Sequence, residues 1–255
     1  MIGILDSGSG GLTVMKAIRE QLPSSDIVYF GDIKNAPYGS KTQRELSALT
    51  AQAMLLLKDR KAERIVSACN SVSASLAVSL LDVFAIAPGQ LVEMVGPTVG
   101  YFRNVDKRIA LCATPATVSA GMYENAFHMI GKEPLSIAMP DLAAAIEFGA
   151  SDQEIKTIIE TTLAPYAGQY DILILACTHY PLVRHLFTEI LGQDILIFDP
   201  AEAVAARAKQ LFWPQEVAFG TTHFIISQES AHFRTYVERL FPGLKYSIEV
   251  LLPSD

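Results

Sequence analysis

The chain has 255 residues, half of them hydrophobic, and its 20 Lys and Arg against 27 Asp and Glu give a formal net charge of −7. That length suits one large domain or two smaller ones with a full core, and the acidic balance argues against nucleic acid or an anionic membrane surface as the main partner. Apolar runs stay short of the roughly 18 residues of a membrane span, and three cysteines without paired spacing point to thiols kept reduced in a cytosol.

The opening MIGILDSG lacks the basic region and long apolar core of a signal peptide. Residues 2–5 read as a strand running into Asp6-Ser7-Gly8-Ser9-Gly10-Gly11, and a helix follows from Leu12, with Met15, Ile18 and Leu22 at helical spacing. The glycine loop is either a tight turn or a place where backbone N–H groups approach a carboxylate or phosphate. It is neither a dinucleotide fingerprint nor a P-loop. Residues 27–30 form a second strand, and the loop Asn35-Ala36-Pro37-Tyr38-Gly39-Ser40 is either a bare turn or a wall offering the Tyr38 hydroxyl to a substrate. A helix over 42–59 leads to a strand over 64–68. Then come Cys69, Asn70 and Ser71, and a helix carrying Leu76, Leu80 and Val83 to about 85.

Residues 91–95 are predicted as a strand, with Gly96-Pro97 breaking the pattern at a domain crossing. A strand over 108–111 leads to Cys112, read as core, and a helix starts at Thr114-Pro115-Ala116-Thr117, where the threonines are caps or ligand donors. A strand over 135–138 and helices over 141–148 and 152–163 come next. Residues 172–175 form a buried strand that delivers Ala176-Cys177-Thr178-His179, and Pro181 opens a helix with Leu182, Leu186 and Ile190. A strand over 195–198, a helix from Asp199-Pro200 to Phe212 ended by Trp213-Pro214, a strand over 222–226, a helix over 229–240 and a strand over 246–251 complete the chain. Such alternation predicts an α/β protein with mostly parallel sheets flanked by helices.

Cys69 and Cys177 stand 108 residues apart in matching turns, each at a strand end and each followed by polar residues. This internal repeat predicts two α/β lobes of similar build, with the thiols opposed across a cleft. Opposed groups of one kind suit racemisation: one removes the α-proton and the other returns a proton to the opposite face. A thiol suits the task because its pKa is tunable, and a helix N-terminus favours the thiolate. No lysine stands out for a pyridoxal Schiff base, so the reaction is expected to need no cofactor. A lone cysteine after a strand is more often a small buried hydrophobe. A Cys–His hydrolase is disfavoured because residues two apart do not readily form the nucleophile–base geometry; on local grounds His179 is either a surface histidine or an assisting group. A Cys69–Cys177 disulfide does not suit the compartment, and zinc lacks its ligand spacing.

Asp6-Ser7-Gly8-x-Gly10-Gly11, Gly31-Asp32 with Pro37-Tyr38-Gly39-Ser40-Lys41, Ala68-Cys69-Asn70, and Cys177-Thr178-His179-Tyr180-Pro181-Leu182 closely resemble the cofactor-independent aspartate/glutamate racemase family, its glutamate racemases in particular. The resemblance runs from Ile2 through at least Ala205. It implies two pseudo-symmetric domains, 1–96 plus 207–255 and 97–206, with the active site between them. It also implies that Cys69 takes the α-proton of D-glutamate and Cys177 that of L-glutamate, with Asp6 assisting the first and His179 and Glu147 the second. Asp6, Ser7, Pro37, Tyr38, Gly39, Asn70, Ser71, Thr114, Thr117, Thr178 and His179 match substrate-binding positions.

No metal or cofactor is implied; a cytoplasmic homodimer supplying D-glutamate for peptidoglycan is. The alternatives are an aspartate racemase, although those usually carry Glu at position 179, and a binding protein without turnover. Departures from the family pattern are Ser71 for Thr, the sequence Ile33-Lys34-Asn35-Ala36, Ala113 and Ala176 for glycines, and Ala138-Met139-Pro140 without a cysteine. The two alanines are expected to narrow the pocket or alter its backbone. The chain also starts directly at its first strand, so activation by a cell-wall nucleotide precursor, associated with extended forms, is not expected.

Overall fold

Strands that are apolar at every position need cover on both faces. The computed structural model, which describes residues 1–73, 83–213 and 219–251, provides it with helices on either side of two wholly parallel sheets. The strands are β1 (Ile2–Asp6), β2 (Ile27–Gly31), β3 (Arg64–Ser67), β4 (Leu91–Val92), β5 (Ile109–Ala113), β6 (Leu135–Ala138), β7 (Ile172–Ala176), β8 (Leu196–Phe198), β9 (Thr222–Ile226) and β10 (Ser247–Val250). The helices are α1 (Leu12–Gln21), α2 (Gln43–Asp59), α3 (Asn70–Ser73), α4 (Val95–Tyr101), α5 (Pro115–Ala120), α6 (Met122–His128), α7 (Leu142–Glu147), α8 (Asp152–Leu163), α9 (Arg184–Leu191), α10 (Ala201–Phe212) and α11 (Ala231–Leu240).

The first sheet runs β10-β9-β2-β1-β3-β4 and the second β6-β5-β7-β8. The block β2-β1-β3-β4 and the whole second sheet therefore share one order. This is the repeat anticipated from the cysteine turns, for β3 precedes Cys69 and β7 precedes Cys177. Period-2 alternation divides the side chains of each strand between two cores. Ile2, Ile4 and Val66 pack with α1, α10 and α11 on one face, while Leu5, Val28 and Ile65 pack with α2 on the other. The second sheet is likewise covered twice. Helix starts follow their local chemistry: Thr42 with Glu45 and Ser151 with Glu154 form capping boxes, each cap contributing about 1 kcal/mol.

The sheets draw residues 2–92 and 222–250 into the first lobe and 109–198 into the second. α10 straddles the boundary expected at 206/207, and its Val204, Ala205, Ala208 and Phe212 lie in the first lobe's core beside Val14, Met15 and Ile18 of α1. The strand expected over 91–95 stops at Val92, and Gly96-Pro97 sits inside α4 rather than breaking the chain. The Glu93 carboxylate turns the chain there by accepting from the N–H groups of Val95 and Gly96. Cys112 lies within β5, not after it, and is fully buried. The Tyr180–Val183 turn is a 3-10 helix, and α9 starts only at Arg184. Val83 is 74% exposed; Leu76, Leu80 and Pro214 lie outside the described residues. Among the described residues no helix is long and apolar enough to cross a membrane.

Candidate active site

The central strands of both sheets end at the same place. Asp6 closes β1, Cys69 follows β3, Thr114 follows β5 and Cys177 follows β7. The carboxyl ends of parallel strands, where neighbouring connections leave to opposite faces, form a ligand crevice. Cys69 from the first lobe and Cys177 from the second line one cavity of about 10 Å3, roughly the room of a single water. Ser7, Pro37, Tyr38, Gly39, Asn70, Ser71, Thr114, Thr178 and His179 line it too. Asp6, Glu147 and Thr117 stand behind that wall, each in contact with a residue in it. Ala143 of α7 also lines the cavity; nothing in its local sequence singles it out. All three cysteines are free and buried.

On the Cys177 side, the glycine loop binds a carboxylate as its backbone allows, and the carboxylate belongs to the chain itself. Glu147 accepts from the Ser9 N–H at 2.9 Å and the Ser9 hydroxyl at 3.0 Å. A Cβ at position 8 would fall 2.7 Å from a Glu147 oxygen, so this approach needs glycine. The same carboxylate accepts from Nε2 of His179 at 2.5 Å, and Nδ1 of that ring lies 3.9 Å from the Cys177 sulfur. Residues two apart thus do reach each other, because the turn after β7 folds His179 back over Cys177. The ring is not at the surface but fully buried. Burial disfavours the imidazolium, yet its bonds to Cys177 and Glu147 and the Glu147 charge outweigh burial and hold His179 well above its ordinary pKa. Burial likewise works against the Glu147 charge. The His179 contact and the Ser9 donors win, and the carboxyl is held below its ordinary value.

Among the described residues the Cys69 side carries no such relay. Burial, and then the Asp6 charge, push the Cys69 thiol up to about 12 against the opposing Val72 N–H and Ser7 hydroxyl. The thiolate expected from a helix N-terminus is therefore not favoured here; desolvation dominates. Asp6 is itself raised, chiefly by burial, although His179 and the amides of Gly8 and Gly11 draw it back. Its two oxygens accept from Gly8 N–H at 2.9 Å and from the Thr178 hydroxyl at 3.1 Å, so one carboxylate ties the two lobes. The two thiols thus sit in unlike electrostatic surroundings despite equivalent positions in the fold.

Between them lies a belt of neutral polar groups. Ser71 Oγ is 3.0 Å from Thr114 Oγ1 and 3.3 Å from Thr117 Oγ1, and the threonines are 3.1 Å apart. Thr114 also caps α5, so the cap and the site share one side chain. Asn70 accepts from the Tyr123 hydroxyl at 2.6 Å, while its Nδ2 is buried without a partner. Buried amide N–H groups are rarely left unpaired, and this one belongs to a residue of the cavity wall. Tyr123, from the second lobe, carries no signal in its local sequence. The Tyr38 hydroxyl donates to Asp32 at 2.6 Å, and Tyr38 forms part of the cavity wall. Ala113 and Ala176 pair with each other across β5 and β7 and pack in the second lobe's core. They do not line the cavity, so they do not narrow it. Among the described residues no group of three or more His, Cys, Asp or Glu is arranged to hold a metal ion.

A family model described as Asp/Glu/Hydantoin racemase matches residues 2–208. The chain is 35% identical over 209 residues to the glutamate racemase of Aquifex aeolicus, with 82% of each chain covered. A glutamate racemase isoform from Bacillus anthracis has a similar structure, with a TM-score of 0.88 at 29% identity over 99% of this chain and 97% of that one. Glutamate racemase from Francisella tularensis, solved with D-glutamate, gives 0.86 at 27% identity over 98% and 97%. By both sequence and fold, the chain belongs to the Asp/Glu/hydantoin racemase family of enzymes.

Proposed function

We propose that this enzyme interconverts L- and D-glutamate without a cofactor, using Cys69 and Cys177 as the two acid/base groups. The observation that supports this most directly is a single cavity lined by two buried thiols from equivalent strand ends of two lobes. In the L-to-D direction the Cys177 thiolate takes the Cα proton, and the electron pair of the broken C–H bond delocalises into the α-carboxylate. The Cys69 S–H bond then breaks and its proton forms the new Cα–H bond on the opposite face. The D-to-L direction reverses the roles. The imidazolium of His179, maintained by Glu147, faces the Cys177 sulfur and stabilises negative charge on it. Asn70 Nδ2 and the Ser71, Thr114 and Thr117 hydroxyls supply neutral donors to the substrate, so no permanent cation neutralises a thiolate.

The product placement that follows is D-glutamate for peptidoglycan, made in the cytoplasm by a homodimer. A circular-dichroism assay with each enantiomer of glutamate and aspartate in D2O, without added cofactor, tests the reading. Glutamate is expected to racemise with solvent deuterium at Cα, and Cys69→Ala or Cys177→Ala each to abolish it. Full activity in either variant refutes the two-thiol scheme. Binding without exchange would make the protein a sensor, and faster turnover of aspartate would move the substrate.

A further inference from the structure

A second cavity lies one wall away from the thiols. It has a volume of about 310 Å3, at the lower end of the roughly 300–1,000 Å3 of small-molecule sites. It opens between the lobes, with Gly39, Lys41, Thr42 and Gln43 on one side and Pro115 and Ser119 on the other. Gly39 lines both cavities. A Cβ at Gly39 would fall 2.4 Å from Cβ of Thr114, so these two residues, one from each lobe, form the partition between the spaces. The inner cavity, at about 10 Å3, is too small for an amino acid. A partition shared by two lobes opens when they part by hinge motion, and the larger space then joins the smaller.

This route carries a positive charge of its own. The protein carries a net charge of −7, and Asp6 and Glu147 stand buried behind the thiols, so the far field repels an anionic amino acid. Among the described residues lining the two cavities Lys41 is the one permanent cation. The neighbouring Glu45 carboxylate, held below its ordinary value by its bonds to Thr42 and then by the Lys41 charge, is fixed against the helix start by the Thr42 N–H at 2.8 Å and hydroxyl at 2.6 Å. A cation at the mouth of a cleft concentrates anions there in spite of an opposing net charge. We infer that this vestibule is the port through which the anionic substrate reaches the thiols, and that Lys41 is its capture group. The inference rests on the amino-acid racemase reading above.

The test compares the unaltered chain with Lys41→Gln, Lys41→Glu, Ser119→Trp and Lys16→Glu. Lys16 lies on α1, outside both cavities, and supplies the same change of net charge. Steady-state kinetics with L-glutamate are measured at ionic strengths from roughly 10 mM to 1 M, over which the Debye length shrinks from about 30 Å to about 3 Å. Lys41→Glu is expected to raise KM about tenfold at low salt, Lys41→Gln about threefold, with both deficits closing as salt rises. Ser119→Trp, which fills the vestibule, raises KM at every ionic strength. Low-salt kinetics of Lys41→Glu equal to those of the unaltered chain would overturn the inference, as would an equal loss in Lys16→Glu or unchanged kinetics in Ser119→Trp. Glutamate turnover by the unaltered chain is measured first. A failed port then leaves the racemase reading standing, whereas an inactive chain removes both.

Discussion

Replacing Glu147 by Gln removes a charge from behind Cys177 while keeping the shape. The amide oxygen in place of Oε2 still accepts from Ser9 N–H and His179, and the amide nitrogen in place of Oε1 donates to the Ser9 hydroxyl. A hydrogen bond to a charged group contributes about 1.5–3 kcal/mol and a neutral one about 1, so the His179 contact weakens by about 0.5–2 kcal/mol. At 1.36 kcal/mol per tenfold, kcat/KM falls roughly 2- to 30-fold. The equilibrium constant between enantiomers is one, so the fall is equal in both directions. Isotope effects are not so constrained. With proton transfer at Cys177 slowed, α-deuterated L-glutamate shows the larger primary effect, because for D-glutamate the slow step becomes reprotonation. Circular dichroism with both deuterated enantiomers reads this directly. Unchanged kcat/KM, or isotope effects that remain equal, would refute the relay.

The same variant has a signature in stability. His179, held above its ordinary pKa, adds stability that is complete below about pH 6.5 and is lost as pH rises through its folded value. Glu147, held below its ordinary value, adds stability present above about pH 4.5 and lost as pH falls through its folded value. Melting temperatures of the variant and the unaltered chain therefore differ most between these limits and converge beyond them.

Tyr123→Phe strips the donor from the Asn70 oxygen and leaves a buried acceptor unpaired at a cost of about 1–3 kcal/mol; KM rises as the amide loses its orientation, and an unchanged KM sinks that role. Gly39→Ala pushes a methyl group against Thr114 and holds the lobes apart, so kcat drops sharply in a steady-state assay while the far-ultraviolet spectrum is retained. Cys112→Ala, in the core and away from the cavity, destabilises by about 1 kcal/mol in urea titration with racemisation intact. Cys69, pushed up to about 12, gives a stability that declines as pH rises from about 9, since the unfolded chain loses the thiol proton first; Cys69→Ala flattens that slope.

Much of this was legible locally. Apolar runs ending in Asp6, Cys69, Thr114 and Cys177 mark strand ends because a strand buried on both faces tolerates polar groups only where it stops. The matching turns around the two cysteines pointed to two lobes, and the parallel strand order β2-β1-β3-β4 against β6-β5-β7-β8 bears out their similarity. Errors fell where a local signal had two tertiary outcomes. Gly96-Pro97 reads as a breaker, yet proline fits the first turn of a helix, and α4 contains it. Pro181 reads as the opening of a helix, yet residues Tyr180–Val183 form a 3-10 turn and α9 begins only at Arg184.

What residue order alone determined is the class of fold, the two thiols and their placement at equivalent turns, since strand period, helix start and cysteine context all act over a few residues. What only the folded chain decided is how those thiols differ. Ser9 reaches Glu147 across 138 positions and Tyr123 reaches Asn70 across 53, and neither partner leaves a trace in the other's neighbourhood. Burial then sets the charges: the same side chain faces a paired imidazolium at Cys177 and a buried carboxylate at Cys69, because desolvation and proximity depend on the assembled lobes and not on the order of residues along either one.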